Sequence, residues 1–204
     1  MRILVLFLGL IFCIEAKPLS VEVSSKSAIL INPETEAILF EKKADLPCYP
    51  ASITKIATVW YVLEKKGDLL DEEVTTSLEA IATISPQRKH ADFSSFSPHV
   101  LESDGKHISL KEGEIFKLKD LLYSSMVHSA NDASNVVAAH ISGSVEAFMH
   151  ELNMFLREKG IYNTHFVNPH GLHYPQHQTT AYDMAMIAKG AFKHPFFREL
   201  ASTV

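Results

Sequence analysis

Pro50-Ala51-Ser52-Ile53-Thr54-Lys55 is the stretch on which the reading of this chain turns. Helical spacing begins here: Ile53, Ile56, Trp60 and Leu63 recur as one apolar stripe and predict a helix from Ser52 onward. Ser52 stands at the N-cap position, where a hydroxyl is worth about 1 kcal/mol. Lys55 follows three residues later, where Glu or Gln would complete a capping box and suit the positive end of the helix dipole. A lysine opposes that dipole, and the spacing puts it on the same face as Ser52. Held there and partly desolvated, its ammonium should titrate below the usual ~10.4. A lysine that can lose its proton beside a hydroxyl gives a serine nucleophile with its own base. Taken alone, the tetrapeptide leaves both catalysis and a plain cap open. Ser103-Asp104-Gly105-Lys106 repeats the spacing, but its Asp and Gly assign it to a loop, where the two side chains do not align.

Upstream, Ala28–Ile31 and Ala37–Phe40 are short apolar runs separated by Asn32-Pro33-Glu34-Thr35-Glu36, which predicts a hairpin of well-buried strands. Pro47 and Pro50 break the chain before the helix. At the start, Met1-Arg2 precedes an apolar run from Ile3 to Ile14 and then Glu15-Ala16-Lys17. Spanning a bilayer takes about 20 residues, so the pattern reads as a signal peptide over residues 1–16 and implies export. Cys13 would leave with that segment, and Cys48 would remain unpaired as a small, buried or half-buried residue.

Downstream, residues 67–113 change character, with charged and Ser-rich stretches, Pro86 and Pro98, and suggest an irregular inserted lobe. Helices are predicted over Glu114–Met126 and Ala133–Ile141, with a break around His128–Asp132. A further helix capped by Ser144 runs to Lys159, burying Phe148, Leu152 and Phe155. Asn163–Thr179 reads as a loop, and Thr180 opens a last helix toward Phe192. Two strands followed mostly by helices make an α+β arrangement that is short of strands. The 204 residues are 47% hydrophobic and 21% charged, which excludes long disorder, collagen-like repeats and a disulfide scaffold. The net charge of −5, unchanged when Arg2 and Glu15 leave together, gives no basic excess for a nucleic-acid partner.

A second chemical element lies in the break between helices: Ser129-Ala130-Asn131-Asp132-Ala133. Extended backbone there would point Ser129 and Asn131 the same way, a hydroxyl to relay a proton and an amide to hold a lysine and a substrate carbonyl. The alternative is that Asn131 or Asp132 caps the following helix. Together the two elements resemble the D-alanyl-D-alanine carboxypeptidases, the low-molecular-weight penicillin-binding proteins. Residues 50–55 are similar to that family's first motif and Ser129-Ala130-Asn131 to its second. Asn163–Leu172 is similar to its following loop, and the likeness runs from about Ser27 to Val204.

The resemblance implies a β-lactamase/transpeptidase-like α+β fold, an antiparallel sheet flanked by helices, with an inserted, mainly helical lobe at about 67–130. Residues 17–204 would be the N-terminal portion of that domain, with the closing strands missing. It implies that Ser52 attacks the carbonyl between two D-alanines of a peptidoglycan stem peptide and that Lys55 accepts its proton. Ser129 would protonate the departing amine, and Asn131 would orient Lys55 and the peptide. β-Lactams would acylate Ser52 as mimics of that dipeptide. The family's third motif, Lys-Thr-Gly, does not occur in the sequence, since Lys189-Gly190 lacks the threonine and falls in a helical pattern. One oxyanion donor is worth about 10²–10³ in rate, so these 204 residues alone are expected to release little D-alanine.

Two other functions compete. A β-lactamase needs a deacylating Glu, for which Glu151 is the sole, poorly placed candidate. The other is not an enzyme: a truncated, inactive product, or a chain that only binds peptidoglycan peptides. His165, His170, His173 and His177 are the metal candidates, but no Cys or acidic ligand accompanies them at a telling spacing, so neither a metal nor a cofactor is expected.

Overall fold

The computed structural model describes residues 21–203; the expected signal segment 1–16, with Cys13, lies outside the described residues. Strands β1 (Ala28–Ile31) and β2 (Ile38–Lys42) open the fold as an antiparallel hairpin, Leu30 opposite Phe40. Asn32 shapes the turn, its Oδ1 accepting from the amides of Glu34 and Thr35. The strands are less buried than expected. Leu30, Ile38 and Leu39 are 45%, 49% and 44% exposed. A two-stranded ladder has two faces, and among the described residues only one is covered, by a later helix against β1.

A 3-10 turn (Ala51–Ile53) leads into α1 (Thr54–Lys66). From Thr54 to Leu63 every side chain except the half-buried Ile56 is buried, so α1 is the central helix rather than an amphipathic one. Ile53, expected in the apolar stripe, is exposed, because the 3-10 turn rotates it out of register with the α-helical positions. Ser52 lies inside that turn and caps nothing.

Between residues 67 and 117 come β3 (Glu73–Thr75), α2 (Leu78–Ile81), β4 (Thr83–Ile84), α3 (Pro86–Ala91), β5 (Leu101–Glu102) and β6 (Ile115–Lys117). β3 pairs antiparallel with β6, and β4 with β5 in parallel, so this stretch mixes short strands with short helices. The chain leaves and returns through the β3–β6 ladder, extended by Thr76 N–H to Glu114 O and Gly113 N–H to Thr76 O. Residues 115–117 were expected to be helical; strand pairing overrides that periodicity, and α4 begins only at Leu118 (Leu118–Val127).

The rest is helical: α5 (Asn131–Ser142), α6 (Val145–Glu158), α7 (Ala181–Ala191) and α8 (Pro195–Ser202). Ser144 and Thr180 cap α6 and α7, accepting from Ala147 N–H and Asp183 N–H. Phe148, Leu152 and Phe155 are buried as expected. The helix at Thr180 is not the last, because Pro195 starts α8, which buries Phe197 and Leu200. Helices α4, α5, α6 and α7 all pack on α1, and the core is the bundle they enclose.

Candidate active site

The site is built around the first turn of α1. Ala51 takes a left-handed backbone, φ +52, unusual for a residue with a side chain. That bend sets Ser52 on an exposed 3-10 turn while Lys55, one turn on, points inward with 2% of its surface accessible. Lys55 Nζ stands 3.5 Å from Ser52 Oγ, 3.4 Å from Ser129 Oγ, 2.8 Å from Asn131 Oδ1 and 2.7 Å from the His170 carbonyl. Burial pushes its pKa down to about 8.

Ser129 and Asn131 come from the junction of α4 and α5. The backbone at Ser129 is left-handed (φ +56), not extended as the spacing suggested, and both side chains still reach the amine. Asn131 is the first residue of α5, and neither it nor Asp132 occupies the N-cap position, which falls to Ala130. Asp132 instead accepts from the amides of Ile108 and Leu110, tying the 67–117 stretch to α5. The Asn131 N–H donates to Lys106 O at 2.8 Å.

The third wall is the loop at residues 168–172. Asn168, fully buried, accepts from Gly171 N–H and donates to Leu172 O. The His170 ring accepts from Leu172 N–H at Nδ1 and faces the His99 carbonyl with Nε2, so the proton sits on Nε2. Complete burial, then the Lys55 charge, holds this imidazole well below its ordinary pKa. Thr58 Oγ1 donates to Pro169 O at 2.7 Å, pinning the loop to α1. Gly171 is obligatory: its φ is +88, and a Cβ there would stand 1.9 Å from Ala51 O.

These walls enclose an open cavity of about 430 Å³ with Ser52, Asn131 and Gly171 on its lining. Of the four residues singled out from the sequence, Ser52, Ser129 and Asn131 thus meet at the amine of the fourth, Lys55; two stretches of chain supply them, and a third adds the His170 carbonyl. Glu102, Asp104 and Lys106 also line the cavity. The second Ser-x-x-Lys stretch is a loop, as its Asp and Gly predict, and it is part of the cavity rim. His170 and Thr58 had no sequence signal beyond the unusual density of histidines in the loop.

His170, His173 and His177 line the same cavity, but among the described residues the ligand atoms of the four candidate histidines do not converge on one point. His165 pairs its backbone with Gln178, and His173 packs edge-on against Tyr49. His170 and His177 are buried separately in hydrogen bonds of their own. Glu151 bonds to Tyr61 and Ser142 and is not among the cavity residues. Cys48 is half-buried, and its backbone pairs with Thr179. No helix of the described residues is long and apolar enough to cross a membrane.

Comparison with known proteins gives a consistent result. Residues 13–203 match the peptidase S11 family, D-alanyl-D-alanine carboxypeptidase. The chain is 34% identical over 179 residues to the D-alanyl-D-alanine carboxypeptidase DacF of Bacillus subtilis, covering 88% of this chain and 42% of that protein. It is 30% identical to DacC of Escherichia coli, covering 91% of this chain and 44% of that one. The crystal structure of penicillin binding protein 6B from Escherichia coli superposes with a TM-score of 0.76 at 27% identity, covering 91% of this chain and 55% of that one. The chain spans about two fifths of the length of these curated relatives.

Proposed function

The chain belongs to the D-alanyl-D-alanine carboxypeptidase family, and on that premise we propose removal of the terminal D-alanine of peptidoglycan stem peptides through an acyl-enzyme on Ser52, slow in these 204 residues by themselves because they hold no Lys-Thr-Gly oxyanion donor. The observation that carries the reading is the surround of Lys55. A neutral amine has two N–H bonds, and two acceptors lie at short distance, Asn131 Oδ1 and His170 O. Its lone pair is then left on the side of the two serine hydroxyls, at 3.5 and 3.4 Å. That is the arrangement a general base needs, with a pKa close to working pH.

In the proposed sequence, Ser52 Oγ attacks the carbonyl carbon between the two D-alanines and passes its proton to Lys55 Nζ. The charge that develops on the carbonyl oxygen falls beside the nucleophile's own backbone N–H, the usual site of one oxyanion donor. Collapse breaks the C–N bond. Ser129 gives its proton to the departing amine and takes one from the Lys55 ammonium. An ester on Ser52 and free D-alanine result. Water then attacks the ester, its proton again going to Lys55, and the shortened peptide leaves with Ser52 restored. A β-lactam follows the first half: its ring amide bond opens, and the acyl group stays on Ser52.

Asn131 would hold both Lys55 and the substrate, and export through the segment 1–16 would bring the site to the cell wall. The test is covalent labelling with a fluorescent penicillin. The wild-type chain is expected to carry label at Ser52 and Ser52→Ala to carry none; equal labelling of the Ala variant rules out the nucleophile.

A further inference from the structure

The strained backbone before Ser52 has a support that the proposed chemistry does not use. A left-handed non-glycine residue costs roughly 1–2 kcal/mol and persists only where its surroundings over-determine it. At Ala51, three contacts do so, one of them the Thr54 backbone N–H, which donates to Ala51 O. Behind its carbonyl lies Gly171, close enough that a single added carbon would collide. In front, Thr54 Oγ1 lies 2.8 Å from Ala51 O and donates to it. A hydroxyl has one proton, so Thr54 can only accept from its other neighbour, His177 Nε2, also at 2.8 Å.

His177 is built for that role. Its Nδ1 accepts from Val167 N–H at 3.1 Å, which places the ring proton on Nε2. The three bonds therefore run one way: Val167 N–H to His177, His177 Nε2–H to Thr54, Thr54 O–H to Ala51 O. The ring is 1% exposed and stacks on Phe166, centroids 4.8 Å apart. Burial takes its pKa down to about 3, so it stays neutral, and in this tautomer, at any working pH.

A trans peptide is planar, so the direction of the Ala51 carbonyl fixes the opposite direction of the Ser52 N–H. Resting on the reading of Ser52 as nucleophile, we infer that His177 is a positioning residue: through the Thr54 hydroxyl it locks the Ala51–Ser52 peptide and aims the amide that meets the developing oxyanion. Losing an aimed oxyanion donor costs about 10²–10³ in rate, which sets the scale of the effect.

The test compares second-order rates of fluorescent-penicillin acylation in the full chain. His177→Asn, which keeps an acceptor for Val167 but loses the donor to Thr54, and Thr54→Val should each acylate about 10²-fold more slowly. His177→Gln restores a donor near the Nε2 position, and Thr54→Ser keeps the hydroxyl; both should recover most of the rate. Groups acting in series are not additive, so the His177→Asn/Thr54→Val double variant should be no slower than the worse single one. Wild-type rates in His177→Asn and Thr54→Val, or losses that multiply in the double variant, overturn the inference. Should His177→Asn fail to fold, the Thr54→Val and Thr54→Ser pair carries the same comparison. A second readout needs no turnover. The Ser52 backbone amide resonance should move in His177→Asn and Thr54→Val and return toward its original position in His177→Gln. An unmoved Ser52 amide overturns the inference even if the wild-type chain fails to acylate, a failure that would count against the nucleophile itself.

Discussion

At Lys55, burial alone sets the direction of the pKa shift. Two short acceptors suit either protonation state, whereas removal from water penalises the charged one, and the net effect is a pKa of about 8. In the unfolded chain the same amine titrates near 10.5. Between these values the unfolded state binds more protons, so folding grows more favourable as pH rises from about 8 to about 10.5 and the contribution is flat outside that window. At 1.36 kcal/mol per pKa unit the gain is about 3 kcal/mol. Urea unfolding of the wild type against Lys55→Met, across that range, should show the difference between the two growing by about that amount. A constant difference would mean that the lysine is solvated. The sequence announced this residue by an electrostatic misfit, a cation where a helix start prefers an anion. It did not announce the left-handed backbone at Ala51 or Ser129, since neither is a glycine. Each conformation is imposed by contacts from remote chain, and no local pattern encodes it.

Helix α7 shows how one small residue decides the packing of an element. Gly190 lies against Trp60 on α1, and a Cβ there would come within 2.3 Å of the indole ring. In an open helix, Gly to Ala gains about 1 kcal/mol. Here the sign reverses, because overpacking a filled interface costs about 1–3 kcal/mol or more. Gly190→Ala should therefore lower the urea-unfolding free energy by about 3 kcal/mol with an unchanged m value; a neutral or stabilising result would contradict the α1–α7 packing described here. Elements whose signals are local were legible in advance: the Ser144 and Thr180 caps, the Asn32 turn and the α6 stripe. Elements decided by a partner were not. Ile115–Lys117 reads as helix until β3 claims it, and the hairpin reads as buried because apolar runs do not say which of their faces will be covered. Helix α8, not expected from the sequence, carries its signal in Pro195 with Phe196, Phe197 and Leu200 behind it.

Across the whole molecule, three stretches distant in sequence meet at one nitrogen. Ser129, Asn131 and His170 lie 74, 76 and 115 residues from Lys55 and touch the same amine. Asp132 fastens the 67–117 stretch to α5 beside them, and Thr58 fastens the 168–172 loop to α1. The bundle thus holds two serine hydroxyls and the Asn131 amide oxygen around a buried lysine whose pKa is lowered to about 8. Ser52 and Asn131 could be paired from the sequence because they sit in recognisable motifs. Thr54 and His177 could not, being an ordinary threonine and one histidine among eleven until folding joins them. The most direct measurement is the rate at which benzylpenicillin acylates the chain from pH 6 to pH 10, followed by intact mass. The rate should rise with pH and level off through an apparent pKa of about 8, with the adduct on the peptide containing Ser52. A rate that is flat across the range rules out Lys55 as the base, and an adduct on any other residue rules out Ser52 as the nucleophile.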